Sequence, residues 1–207
     1  MRGNPHVRCE VGEKAEIMSK PYLSLSMCGC SYDEHGIGVS RISAARNAAL
    51  ALYLFCQKAG IKCAVMGHSA DQTRRNSVEL YSYADFEAAD RNDKYRLMNI
   101  SARYNNRDGA ATLFAGEHLL KRDEPTKLMI VISDGAPLAN GYSGVAAETD
   151  LSNIVNELRR KGIIIFAAAI GSDKEDIQRI YDSGFVDISN LNTLPDQLLQ
   201  LVRRYIR

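Results

Sequence analysis

Residues 127–137 read KLMIVISDGAP. From Leu128 to Ser133 the run is almost wholly apolar, with β-branched Ile130, Val131 and Ile132 at its centre. So short a run, apolar on both faces, reads as a central parallel strand covered by helices on either side. It stops abruptly at Ser133-Asp134-Gly135, which places a hydroxyl and a carboxylate at the strand's carboxyl end. In open α/β sheets that edge is where ligands bind.

The flanking chain alternates strand and helix. Residues 1–19 are polar and without clear period, an arm or a loose first element. Tyr22–Met27 follows a proline and alternates as a strand does. Residues 28–40 form a loop punctuated by Gly29, Gly36 and Gly38. From Arg41, Ile42, Ala45, Ala49, Leu52 and Cys56 recur at helical spacing, with Ser40 as N-cap and Gly60 as terminator. Lys62–Gly67 reads as a second strand and Val78–Tyr83 as a third. The short link between them favours antiparallel pairing over a crossover. The acidic stretch 85–93 reads as loop, followed by a short helix around Lys94–Ile100. The turn-forming cluster 105–109, NNRDG, then opens a helix at Ala110–Lys121. Beyond the central strand come a loop at 136–143 and a helix at Val145–Lys161 ended by Gly162. A second buried strand, Ile163–Ile170, leads to a helix at Asp176–Tyr181, a strand at Phe185–Ile188 and an amphipathic helix at Pro195–Ile206. The predicted fold is α/β: a single doubly wound, mostly parallel sheet with helices on both faces and an antiparallel edge strand. Two segments divide the chain, an N-terminal arm at 1–19 and one domain at 20–207.

Composition narrows the function. The chain has 207 residues, 45% hydrophobic and 25% charged, with a net charge of +1. That balance gives no electrostatic footprint for nucleic acid or an anionic membrane, and no apolar run approaches the roughly 20 residues that span a bilayer. The five cysteines (Cys9, Cys28, Cys30, Cys56, Cys63) do not space as a disulfide framework. A reducing cytoplasm is therefore expected, with Cys56 and Cys63 in the core. No G-x-x-x-x-G-K-[ST] stretch is present; Gly36-Ile37-Gly38 lacks the third glycine of a dinucleotide fingerprint, and residues 141–144, GYSG, are wrongly spaced for a nucleophile elbow. His68 ends the second strand on the ligand edge and reads as a hydrogen-bonded loop residue.

Three segments should converge at the strand ends: 26–31, 106–109 and 133–135. Asp108 and Asp134 come from the last two. Paired carboxylates with hydroxyls at loop tips suit a hard divalent cation such as Mg²⁺. They are equally what a helix N-terminus and a turn prefer for local reasons.

Strand–SDG–x–P followed by a Gly-Tyr-Ser-Gly loop and a long helix resembles the von Willebrand factor A domain. The segments NNRDGAA (105–111) and LMIVISDGAPLANGYSG (128–144) are similar to its bacterial branch, which includes the carboxyl-terminal domain of the large chain of cobaltochelatase and the nitric-oxide-reductase activation proteins. The segment 40–69, SRISAARNAALALYLFCQKAGIKCAVMGHS, resembles that family's first helix and second strand. The likeness covers about residues 20–207. It implies a metal-ion-dependent adhesion site built from an Asp-x-Ser-x-Ser segment, a Thr or Asp, and a second Asp. Asp134 matches the last of these and Asp108 the middle one, with Thr112 a weaker match. The first segment departs from the pattern: Ser26 stands where the Asp belongs, and Cys28 and Cys30 where the serines belong. Thiols suit Zn²⁺ better than Mg²⁺. Several readings stay open: a degenerate, metal-free site; an oxygen site completed by Ser31 and Asp33; zinc held by Cys28 and Cys30 with Asp108 or Asp134; or a local alteration of the recorded sequence.

The resemblance implies a non-enzymatic module that binds a protein partner, working beside a hexameric AAA+ ATPase of the MoxR or chelatase type in metal insertion or complex maturation. Neither nucleic acid nor membrane is expected as partner. The alternative is a Mg²⁺-dependent hydrolase or phosphoryl-transfer enzyme using Asp108 and Asp134, for which no nucleophile or base stands at recognised spacing.

Overall fold

The computed structural model describes residues 7–9, 23–25, 41–71, 77–86, 90–170, 174–187 and 200. In chain order the elements are β1 (Val7–Cys9), β2 (Leu23–Leu25), α1 (Arg41–Ala59), β3 (Val65–Ala70), β4 (Val78–Ala84), α2 (Asp93–Met98) and α3 (Asp108–Leu120). They continue with β5 (Lys127–Ser133), β6 (Leu138–Ala139), β7 (Tyr142–Ser143), α4 (Gly144–Arg160), β8 (Ile163–Ala169), α5 (Lys174–Tyr181) and β9 (Phe185–Asp187).

Among the described residues the main sheet runs β1-β4-β3-β2-β5-β8-β9. Strands β3, β2, β5, β8 and β9 are mutually parallel, and β4 runs antiparallel to β3. The antiparallel strand is thus present, one place in from the edge. Val7–Cys9, from the stretch read as an arm, adds parallel to its outer side. The chain winds one way from β2 to β3 and back across to β5 and β8, so the order reverses between β2 and β5. Asp134 follows β5 at that switch point, where adjacent crossovers diverge and leave a crevice.

Strand β5 shows why a two-sided apolar run takes this place. Ile130 and Ile132 point to one face, against Ala45, Ala48, Ala49 and Leu52 of α1 and Leu97 of α2. Met129 and Val131 point to the other, against Ala111, Ala115, Leu151, Val155 and Leu158 of α3 and α4. The period of two serves two cores at once, and each fully buried Ile or Val contributes about 2 kcal/mol. Small residues bring α1 close to the sheet. Gly116 does the same between α3 and α4, since a Cβ there would lie 2.5 Å from both Leu158 methyls.

Helix α1 ends as its sequence predicts. Gly60 takes φ +67°, its N–H bonds the Gln57 carbonyl and the Ile61 N–H bonds that of Cys56, a Schellman closure.

Four boundaries differ from the sequence reading. The second strand is shifted toward the carboxyl edge, so His68 and Ser69 lie inside β3, both buried. Lys62–Ala64 leads into the strand and does not join it. Asp93 is not a loop residue but opens α2, buried, where it accepts hydrogen bonds from Tyr53 Oη at 2.9 Å and the Asp90 N–H at 3.0 Å. The 136–143 segment is a small hairpin, β6 paired with β7. Cys56 and Cys63 are both half-buried, and Cys63 borders the α1 core. The helix expected at 195–206 lies outside the described residues except for Gln200. No helix among the described residues is long and apolar enough to cross a membrane.

A candidate binding edge

The edge is assembled around Asn106. Its N–H and C=O pair with Leu138 across a β-bridge, at 3.0 and 3.1 Å, and the preceding Asn105 carbonyl accepts from the Ala70 N–H at 2.6 Å. The turn before α3 is thereby stitched to the end of β3 on one side and to the β6 hairpin on the other. The Asn106 side chain, wholly buried, is fully used: Oδ1 accepts from the Leu138 N–H at 3.0 Å, while Nδ2 donates to Asp108 Oδ2 at 2.8 Å and the Ala136 carbonyl at 3.4 Å. Asn-rich turns are favoured because the short amide satisfies backbone groups that no ladder reaches.

Asp108 is the first residue of α3, where the helix dipole favours a carboxylate. It is 2% exposed. Its second oxygen, Oδ1, lies 3.1 Å from His68 Nε2. With the carboxylate ionised, Nε2 carries the proton of this bond, and the other ring nitrogen is Nδ1. That atom is buried and has no hydrogen-bond partner among the described residues. Burial first, then the bond to Asp150, then the charges of Asp150 and Asp108 push the Tyr142 phenol well above its usual range. Its hydroxyl donates to Asp150 Oδ2 at 2.7 Å, and its ring carries the Arg107 guanidinium 4.5 Å from its centroid. Gly109 has no room for a side chain here: a Cβ would lie 2.3 Å from the Tyr142 hydroxyl and 2.7 Å from Asp150 Oδ2.

Asp134 has a different setting. It follows β5, whose last residue Ser133 accepts the Ile170 N–H on its carbonyl at 3.0 Å and turns its hydroxyl to the Gly135 carbonyl at 3.0 Å. The Arg41 guanidinium donates to the Asp134 carbonyl at 3.3 Å and stands 3.9 Å from Oδ2, with side-chain exposures of 30% for Arg41 and 11% for Asp134. Around this edge Tyr104, Leu138 and Val145 are exposed by 58%, 52% and 79%.

Of the site residues expected from sequence, Asp108 and Asp134 are both brought to the carboxyl edge, linked through Asn106 and its bond to the loop after Asp134. Thr112 is buried one turn into α3. Ser26, Cys28 and Cys30, with Ser31 and Asp33, lie outside the described residues. Sequence reasoning passes over Asn106 and Arg41 and puts His68 in a loop. Two signals point to the missed pair: an Asn-Asn pair one residue ahead of a helix-opening Asp, and a cation in the first turn of α1, against the dipole.

Mg²⁺ retains several waters and needs carboxylate oxygens it can reach in octahedral geometry. Asp108 is enclosed, with each oxygen already accepting a bond, and Asp134 faces a guanidinium. Among the described residues no three His, Cys, Asp or Glu side chains gather as a metal cluster. Taken by themselves, the two described carboxylates do not fit a hard dication.

A doubly wound sheet that gathers loop carboxylates at its switch point is the arrangement of a von Willebrand factor A domain. Residues 45–205 match the family model for the cobalamin biosynthesis protein CobT VWA domain, and the chain belongs to that family. It is 30% identical over 118 residues to the uncharacterized protein YojO of Bacillus subtilis, covering 53% of this chain and 18% of that protein. With protein NorD of Brucella melitensis it shares 25% identity over 148 residues, 70% of this chain and 23% of NorD. The chain thus spans a quarter or less of the length of these relatives. Among solved structures, proximal thread matrix protein 1 of the mussel byssus, with a zinc-occupied MIDAS motif, superposes with a TM-score of 0.58 at 15% identity over 94% of this chain and 46% of that one. The SpRpn10 VWA domain gives 0.53 at 15% identity, over 87% and 95%. These structural likenesses establish the fold.

Proposed function

We propose that this domain is a non-enzymatic binding module whose carboxyl-edge segments, 28–40, 71–77, 105–109 and 134–144, receive a protein partner. The observation that carries this reading is the exposure of Tyr104, Leu138 and Val145, which lie on the segments flanking the Asn106 turn and the hairpin after β5. Large apolar side chains held in water around a polar centre are what a protein interface covers. The kinship with CobT and NorD supports a cytoplasmic role beside an AAA+ ATPase of the chelatase or MoxR type, in metal insertion or in maturation of another complex. The zinc in the mussel protein's motif keeps a divalent ion among the ligands to test, and Ser26, Cys28 and Cys30 are the residues that would complete such a site with Asp108 and Asp134.

The test is capture of a co-encoded AAA+ ATPase or its substrate protein by the immobilised domain. Binding should weaken at least tenfold in Leu138→Glu and in Tyr104→Glu, both at exposed side chains, with circular dichroism melts establishing that each variant is folded. Unchanged capture by both variants would move the interface elsewhere, and no capture at all would sink the module reading. A hydrolase and phosphatase screen with added Mg²⁺ and Mn²⁺ tests the non-enzymatic half. Turnover that disappears in Asp134→Ala would replace it.

A further inference from the structure

Helix α1 begins with a cation where physics asks for an anion. Its first turn holds no acidic residue, and Arg41 stands as its first residue, against the positive end of a 19-residue macrodipole. What offsets that placement is Asp134, 93 residues away in sequence, whose carbonyl and carboxylate both face the Arg41 guanidinium. The pair joins the element after β2 to the end of β5, the two sides of the switch point. It is partly exposed, in contrast to Asp108 beneath the surface.

We infer that Arg41 is the built-in cation of this edge, a positive charge beside Asp134 that takes the place of a divalent metal ion there. A dication brought to Asp134 would have to approach a guanidinium 3.9 Å from Oδ2, and like charges at such distances repel strongly where solvent is partly excluded. Asp108 offers no relief, being enclosed by His68 and Asn106. The ligand class that suits a guanidinium in this setting is a carboxylate. A planar guanidinium matches the acidic side chain of a partner in shape and charge.

Metal binding to the full chain tests the first part directly, with Mn²⁺ alone as the probe, followed by its electron paramagnetic resonance signal and by calorimetry. Arg41→Gln is expected to bind Mn²⁺ at least tenfold more tightly than the wild-type chain, Arg41→Lys to behave as wild type, and Arg41→Gln/Asp134→Asn to lose the gain. Circular dichroism melts establish that each variant is folded. Wild-type binding as tight as that of Arg41→Gln would overturn the inference, and so would a gain that persists without the Asp134 carboxylate. The second part rests on the module reading. Capture of the partner should be unchanged by EDTA and reduced in Arg41→Gln. Capture that needs Mg²⁺ and vanishes in EDTA would overturn the Arg41 inference while leaving the module intact; absence of capture in every condition would fell the module and leave the Mn²⁺ result standing.

Discussion

The two aspartates at the carboxyl edge are alike in sequence and opposite in circumstance. Asp108 is sealed, its oxygens shared between an imidazole from β3 and an amide from the turn ahead of α3. Asp134 stands at the rim, beside a long-stemmed arginine from another helix. Burial decides what each carboxylate can do. A sealed charge is costly unless every lone pair is satisfied, so its neighbours are committed to it, and it acts on the architecture. Asp134 is itself only 11% exposed, but the arginine beside it is 30% exposed, and a pair that reaches solvent can take part in recognition.

The sharpest way to break this contrast is to remove each carboxylate in turn. Asp108→Ala strands His68 Nε2 and removes one of the two acceptors of Asn106 Nδ2, and should cost about 3 kcal/mol, while Asp134→Ala, which releases an arginine able to reach water, should cost about 1 kcal/mol. Urea denaturation reads both, and equal losses would erase the distinction. Next in size is His68→Leu, which keeps the volume roughly filled but takes one donor from the buried charge. A loss of about 2 kcal/mol is expected, against no change in Mn²⁺ affinity, since the imidazole acts through Asp108 and not at the rim.

Gly109→Ala tests how tightly the Asp108 side is packed. Overpacking against Tyr142 and Asp150 costs about 1–3 kcal/mol, and the better helix propensity of alanine returns about 1 kcal/mol. A net loss near 1 kcal/mol in chemical denaturation is expected, and a stabilised variant would mean the Tyr142–Asp150 bond can yield.

The smallest effect separates the two histidines that touch α3. His118 lies at the far end, half-buried, with Nδ1 2.9 Å from the Phe114 carbonyl. Burial is the largest influence and holds its pKa below the usual histidine value; the Phe114 bond and the Glu117 charge oppose this and Lys121 adds to it. A depressed folded value means that the unfolded chain binds the proton more readily. His118 therefore contributes stability above about pH 6.5, the unfolded value, and that contribution is lost as pH falls through the window below it. Half-exposure screens the effect to about a few tenths of a kcal/mol. Denaturation midpoints at pH 7.5 and 5.5 should differ less in His118→Gln than in the wild-type chain.

How legible these two sites are in the sequence follows the same division. Asp134 is readable because it ends an apolar run that can only be a covered strand, and a polar residue at such a boundary must be at an edge. Asp108 is readable as a helix opener. Its seal is not, because His68 lies 40 residues upstream, beyond the point where the apolar pattern of its strand stops. The apolar residues 63–66 draw the strand boundary inward, whereas pairing with β4 carries β3 on through His68, Ser69 and Ala70. A polar residue inside a buried strand leaves no periodic trace, since its justification is a partner elsewhere.

Sequence by itself determined the layered α/β fold. Alternating short apolar runs and Ala-rich amphipathic helices can bury their faces in few ways, and glycines at 60 and 162 close the helices where the backbone turns left-handed. It also determined which two carboxylates would reach the edge. Only the tertiary structure decided what those carboxylates face. Hydrogen bonds and ion pairs between His68 and Asp108, or Arg41 and Asp134, depend on distances that arise when strands and helices dock, and chain order carries no record of them.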